Sequence, residues 1–161
     1  MKNEANERMN QDHDLISVDL IRAADRSENF PKDWPAERVH HELARYKKWF
    51  RLAGKFPDRP IAPTKAIDEF WHLHMLHPVA YHEDCMRELG FVLDHDGGFG
   101  KELSELPELE ATFQATAVLW EREYGESYLN PGDRPDGMTK CWHNCQSRCQ
   151  RACKSQVPAT A

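Results

Sequence analysis

Apolar side chains recur at helical spacing in two long stretches of the chain. The first stretch has them at i, i+4, i+7 and i+11: Val39, Leu43, Tyr46 and Phe50. The second stretch follows Pro107 and carries a similar stripe: Leu109, Phe113, Thr116, Trp120 and Tyr124. A period near 3.6 places such side chains on one face of an α-helix. The pattern therefore predicts two amphipathic helices, one from Pro35 to Gly54 and one from Pro107 to Gly125.

Capping and breaking residues predict three further helices. Ser17 is a candidate N-cap for a short first helix, and Thr64 is a candidate N-cap for a helix that carries residues 68–77. Pro78 ends that helix and opens the next one, which Gly90 caps. The predicted fold class is mostly α: a compact bundle of about five helices, followed by a cysteine-rich C-terminal tail or helix.

Composition divides the chain into four parts. Its 161 residues can bury one modest core and leave little room for a second domain. We predict a disordered N-terminus over residues 1–14 and a helical domain over residues 15–126. A linker rich in proline and glycine follows over residues 127–138, and a basic, cysteine-rich tail occupies residues 139–161.

Charge is distributed unevenly along the chain. All 27 acidic residues lie at or before Asp136, where only 17 basic residues accompany them, so this part carries a charge of −10. The remaining four basic residues follow Asp136 and make the tail positive. An acidic body repels polyanions, so we expect no nucleic-acid binding. The sequence has no apolar run of membrane-spanning length and no secretory signal pattern, which predicts a cytoplasmic protein with reduced thiols and no membrane association.

Potential metal ligands are concentrated in the middle of the chain. Four of the nine histidines and one of the five cysteines fall between residues 72 and 85. Imidazole and thiolate are the groups that zinc and copper prefer. His72 and His74 point about 200° apart on an ideal helix, so one ion cannot bind both without distortion. The predicted site therefore uses a smaller set of ligands, namely Asp68, His72 and Cys85. His74 or His95 would complete it. The competing interpretation is that these side chains only pack in the core.

The sequence lacks the familiar catalytic motifs. His41 and His82 each begin a pattern like that of zinc proteases but lack its second histidine. No Walker loop, dinucleotide fingerprint or nucleophile elbow is present. Asp68 with two imidazoles resembles the triad of two histidines and one carboxylate found in metal enzymes, but the divergence of His72 from His74 disfavours that arrangement. We therefore assign no catalytic residue and favour a role other than catalysis.

The residues around this cluster form a recognisable pattern. Pro63 to Leu76 contains the run Trp-His-Leu-His, and Tyr81, Asp84-Cys85 and His95 follow it. This pattern resembles the glycine-rich domain-containing protein-like family over roughly residues 38–126. The resemblance implies a mostly helical fold, often followed by a glycine- or cysteine-rich tail, and no particular biochemical activity. The positions that match are Asp68, Trp71, His72, His74, Tyr81, Asp84, Cys85 and His95; His77 and His82 do not match. This chain departs from the family in having few glycines in its tail.

The tail carries four cysteines at strict intervals of four: Cys141, Cys145, Cys149 and Cys153. On a regular helix these thiols would form a slanting stripe about 18 Å long, so neighbouring pairs can hold an ion but all four cannot meet. Copper(I), which accepts two or three thiolates, suits such a stripe, whereas an unwound segment can surround one Zn²⁺ or an iron–sulfur cluster. Enzymatic modification and disulfide formation are the alternatives.

These observations predict a transition-metal binding protein that takes zinc or copper(I) and serves in buffering or delivery. The first alternative is a precursor or carrier whose C-terminal cysteines are modified, with a modifying enzyme or another protein as the partner. A metal-dependent hydrolase or oxygenase is a further alternative. A plain interaction module that binds through its aromatic helices is the last.

Overall fold

The computed structural model of the protein describes residues 15–95 and 103–130. Five helices form in these ranges: α1 (Leu20–Arg26), α2 (Ala36–Lys55), α3 (Lys65–Met75), α4 (Pro78–Glu88) and α5 (Leu106–Tyr124). No strand forms within the described ranges, which confirms the prediction of a mostly helical fold with about five helices. None of these helices is both long enough and apolar enough to cross a membrane. The predicted disordered N-terminus and the cysteine-rich tail lie outside the described residues.

Local capping chemistry sets where the short helices begin. Thr64 caps α3 as predicted, because its hydroxyl accepts a hydrogen bond from the Ile67 amide at 3.3 Å. The predicted cap of the first helix was wrong, since Asp19 performs that role by accepting from the Arg22 amide at 3.0 Å. Ser17 instead donates hydrogen bonds to Asp84 in α4, as described below.

Helix α2 extends through Gly54 to Lys55 instead of stopping at the glycine. A Cβ atom at position 54 would lie 2.7 Å from Leu89 Cδ2, so the missing side chain allows the end of α4 to approach α2 closely. Gly90 follows α4 with a φ of 81°, and Gly125 ends α5 with a φ of 67°. Both glycines therefore end their helices as predicted, and both adopt the left-handed conformation that glycine tolerates.

Helix α3 lies at the centre of the packing and contacts α1, α2 and α4. The core around it is dominated by aromatic rings, and seven of the largest fully buried side chains are of this kind: Tyr46, Trp49, Phe50, Phe70, Trp71, Trp120 and Tyr128. Trp49 of α2 and Trp71 of α3 approach to 4.8 Å between ring centroids. Apolar burial of this kind is the main stabilising contribution to folding.

The chain beyond α5 returns to the core. Tyr128 is fully buried, and its hydroxyl donates to the Ala62 carbonyl at 2.6 Å. The Arg45 side chain donates to the Tyr128 carbonyl and forms an ion pair with Glu42. Tyr128 thus packs on the helical domain although it falls in the segment that composition assigned to a linker; the four-part division itself stays a prediction.

Candidate functional site

Two potential metal ligands lie on one face of α3. Asp68 and His72 are four residues apart, so their side chains project from the helix one turn from each other. The distance from His72 Nε2 to Asp68 Oδ1 is 3.7 Å. The His72 side chain is 14% exposed and the Asp68 side chain is 18% exposed, so an ion can reach this face of the helix.

His95 reaches the same place from the segment that follows α4. Its Nε2 atom lies 2.9 Å from His72 Nε2 and 3.4 Å from Asp68 Oδ1. The His95 ring also packs on Trp71, with 4.2 Å between ring centroids, and its side chain is 8% exposed. We refer to Asp68, His72 and His95 as the α3 triad. Within the described residues, it is the one group of three potential ligands whose donor atoms lie within 4.8 Å of one another.

The spacing of the three donor atoms suits a small divalent cation. The point in their plane that is equidistant from all three lies about 2.0 Å from each atom. An ion held about 2.1 Å from each donor would sit about 0.8 Å out of that plane, with ligand–metal–ligand angles of about 87°, 108° and 123°. The mean of these angles is close to tetrahedral. The spacing of the triad is thus compatible with three corners of a tetrahedral site.

His74 is fully buried, faces away from the triad and lies in a separate hydrogen-bond network. Its Nε2 is 3.0 Å from Asp84 Oδ2, and its Nδ1 is 2.8 Å from the Tyr46 hydroxyl. A carboxylate can only accept, so Nε2 carries the proton and Nδ1 accepts from Tyr46. Burial lowers the pKa of His74, and the neighbouring Asp84 raises that pKa by less. Both ring nitrogens are occupied, so the structure does not bring His74 to the α3 triad.

Asp84 is the centre of this network. Its Oδ2 accepts hydrogen bonds from the Ser17 amide at 2.8 Å and from the Ser17 hydroxyl at 3.0 Å. The Arg87 guanidinium forms an ion pair with Oδ1 at 2.9 Å. We call this set the His74–Asp84 network: Ser17, Tyr46, His74, Asp84 and Arg87. It joins the segment before α1 to α2, α3 and α4.

Cys85 is fully buried in the hydrophobic core. Burial raises the pKa of its thiol, while polar contacts with the Leu93 backbone and the Tyr81 side chain lower that pKa by less. The thiolate that binds metals is therefore disfavoured at this position. The structure does not group Cys85 with Asp68 and His72, and it gives the cysteine the surroundings of a small apolar residue.

The remaining predicted ligands are the four tail cysteines, which lie outside the described residues. The structural roles that sequence reasoning missed belong to Tyr46 and Ser17. Tyr46 was recognised only as part of an apolar stripe, and Ser17 only as a helix cap. Their partners are 28 and 67 residues away, so no local spacing signals these contacts.

Comparison with known proteins identifies relatives of this chain. A model of the glycine-rich domain-containing protein-like family matches residues 1–84. Glycine-rich domain-containing protein 1 of Arabidopsis thaliana is 31% identical over 136 residues, covering 75% of this chain and 16% of the relative. Glycine-rich domain-containing protein 2 of the same plant is 29% identical over 149 residues, covering 82% of this chain and 19% of the relative.

The chain therefore spans less than a fifth of the length of these two relatives. No solved structure matches it. The stretch matched by the family model contains Asp68 and His72 of the triad, together with His74 and Asp84 of the buried network, and it ends before His95. The family match confirms the resemblance predicted from the Trp-His-Leu-His run: the chain belongs to the glycine-rich domain-containing protein-like family.

Proposed function

We propose that this domain binds a transition-metal ion, and that the α3 triad is its site. The observation that supports the proposal is the convergence of two imidazole nitrogens and one carboxylate oxygen at distances of 2.9, 3.4 and 3.7 Å. These groups can hydrogen-bond to one another at such distances, and an ion between them would neutralise the carboxylate and use one lone pair from each side chain.

Zinc is the metal that we assign to this triad. The donor set contains two nitrogens and one oxygen, and the mean ligand–metal–ligand angle is close to that of tetrahedral Zn²⁺. Copper(I) prefers soft sulfur ligands, and Cys85 is not part of the triad. Copper(I) is therefore a separate proposal for the tail cysteines, as is their modification by an enzyme in a precursor or carrier protein.

Buffering or delivery is the role that we propose for the bound ion. The described residues supply three ligands, whereas structural zinc sites generally use four. The partial exposure of Asp68 and His72 allows an incoming ligand to reach the metal and exchange it. The same three-ligand arrangement occurs in zinc enzymes that keep a position for water, so a metal-dependent hydrolase or oxygenase remains the second candidate.

The test separates the triad from the tail thiols. In a variant of the 161-residue chain with serine at all four tail cysteines, titration calorimetry and elemental analysis should detect one Zn²⁺ per chain. Adding His72→Ala should weaken this binding by roughly 100-fold or more, because even changes that only touch a ligand's neighbours typically cost 10- to 100-fold. His82→Ala is the matched control, since His82 is an exposed histidine of α4 outside the triad. A four-serine protein that binds no zinc, or that loses zinc equally in both histidine variants, contradicts the proposal.

A further inference from the structure

The segment that delivers His95 has no regular secondary structure. It leaves α4 at Gly90, and residues 91–95 form neither helix nor strand. Two buried side chains, Phe91 and Leu93, anchor it in the core. Apolar contacts of this kind keep the segment packed against the core, but they constrain the direction of its backbone only loosely because they are not directional. A directional contact is therefore needed to hold His95 at a fixed distance from His72.

The Tyr81 hydroxyl supplies such a contact. It donates a hydrogen bond to the carbonyl oxygen of Leu93, two residues before His95. The Tyr81 hydroxyl oxygen in turn accepts a hydrogen bond from Trp71 Nε1 at 2.8 Å. Trp71 directly precedes His72 in α3, and its ring contacts the His95 ring. One hydroxyl group thus connects the helix that provides His72 with the segment that provides His95.

We propose that Tyr81 is a positioning residue for the α3 triad. This inference rests on the proposed zinc site and adds a residue that does not itself contact the ion. Metal sites require ligand distances correct to within about 0.2 Å. Replacing Tyr81 by phenylalanine frees the Leu93 carbonyl and leaves Trp71 Nε1 without this acceptor. The segment can then shift by more than the tolerance of the site while the aromatic core stays filled.

A tyrosine elsewhere in the core provides a matched control. Tyr128 is also buried, and its hydroxyl also donates to a backbone carbonyl, that of Ala62. Tyr128 packs against Phe113 and Trp120, and none of its described contacts involves a triad residue. Tyr128→Phe therefore removes the same kind of hydrogen bond without disturbing the path to His95. A purely structural role for Tyr81 predicts equal effects of the two substitutions on zinc binding.

The experiment measures zinc affinity and local amide exchange in the four-serine protein. Tyr81→Phe should weaken zinc binding by about 10- to 100-fold, whereas Tyr128→Phe should leave it unchanged. Without metal, Tyr81→Phe should also speed hydrogen exchange selectively at residues 91–95, which Tyr128→Phe should not do. If Tyr81→Phe fails to fold, Trp71→Phe, which retains the hydrogen bond from Tyr81 to Leu93, should weaken zinc binding by less than about 10-fold, and a larger loss overturns the inference.

The outcomes distinguish this inference from the proposed function. If the four-serine parent does not bind zinc, the triad proposal fails and the positioning role fails with it. If the parent binds zinc but Tyr81→Phe and Tyr128→Phe have the same affinity, only the positioning role is overturned. It is also overturned if both Tyr81→Phe and Trp71→Phe fail to fold, because Tyr81 would then act in folding and not in the site.

Discussion

Asp84→Asn tests whether the His74–Asp84 network stabilises the fold. The substitution retains the size of the side chain and one accepting oxygen but removes the negative charge. Asp84 is fully buried and accepts three hydrogen bonds, two from Ser17 and one from His74. Loss of charge weakens all three of these hydrogen bonds, because a bond to an ionised acceptor is roughly twice as strong as a neutral one.

The magnitude follows from counting these contacts. Hydrogen bonds to charged groups contribute about 1.5 to 3 kcal/mol each, so halving three of them costs about 2 to 4 kcal/mol. The ion pair with Arg87 adds at most about 1 kcal/mol, because the arginine side chain is 46% exposed and is screened by water. We therefore expect Asp84→Asn to lower the free energy of unfolding by about 2 to 5 kcal/mol.

Urea denaturation at pH 7.5, followed by circular dichroism, measures this loss. Glu126→Gln is the control, because Glu126 is 43% exposed and pairs with Lys48 at the surface. That change should cost less than about 1 kcal/mol. If Asp84→Asn costs no more than the control, the carboxylate is not what joins these segments, and our reasoning about the network is refuted.

Three further predictions concern zinc, pH and the α5 contact. Zinc at 100 times its dissociation constant should raise the free energy of unfolding of the four-serine protein by about 2.7 kcal/mol, and His72→Ala should abolish this increase in a thermal melt. Burial holds the pKa of His74 below its ordinary value of 6.5, so the unfolded chain takes up this proton before the folded one as the pH falls. His74 should therefore lower the free energy of unfolding as pH falls through 6.5, by at most about 1.4 kcal/mol per pH unit. Its ring should stay neutral by NMR at pH 6.5, and titration at or above 6.5 would contradict this. Thr116→Val should cost about 1 to 3 kcal/mol by urea denaturation, because the buried Thr116 hydroxyl accepts from the Ala62 amide at 2.9 Å, whereas Thr116→Ser should cost less.

The divergence of His72 and His74 shows how far local reasoning reaches. Their separation of two residues implies opposite directions on a helix, and the structure indeed places them in two different networks. The same reasoning could not decide which of them joins a site with Asp68 and His95, because that depends on how α3 packs against its neighbours. Cys85 shows that residue chemistry alone does not identify a metal ligand. Its chemistry nominates it as a ligand, yet the orientation of α4 buries it among apolar groups.

The sequence by itself determined the mostly helical class, the stripes of α2 and α5, the Thr64 cap and the junction at Pro78. These features depend on side-chain periodicity and on backbone geometry within a few residues, which the order of amino acids specifies directly. Only the tertiary structure decided that His95 completes the triad, that His74 pairs with Asp84, and that Tyr81 connects Trp71 with Leu93. These contacts join residues 10 to 27 positions apart, and they exist only after aromatic packing has fixed how the helices face one another.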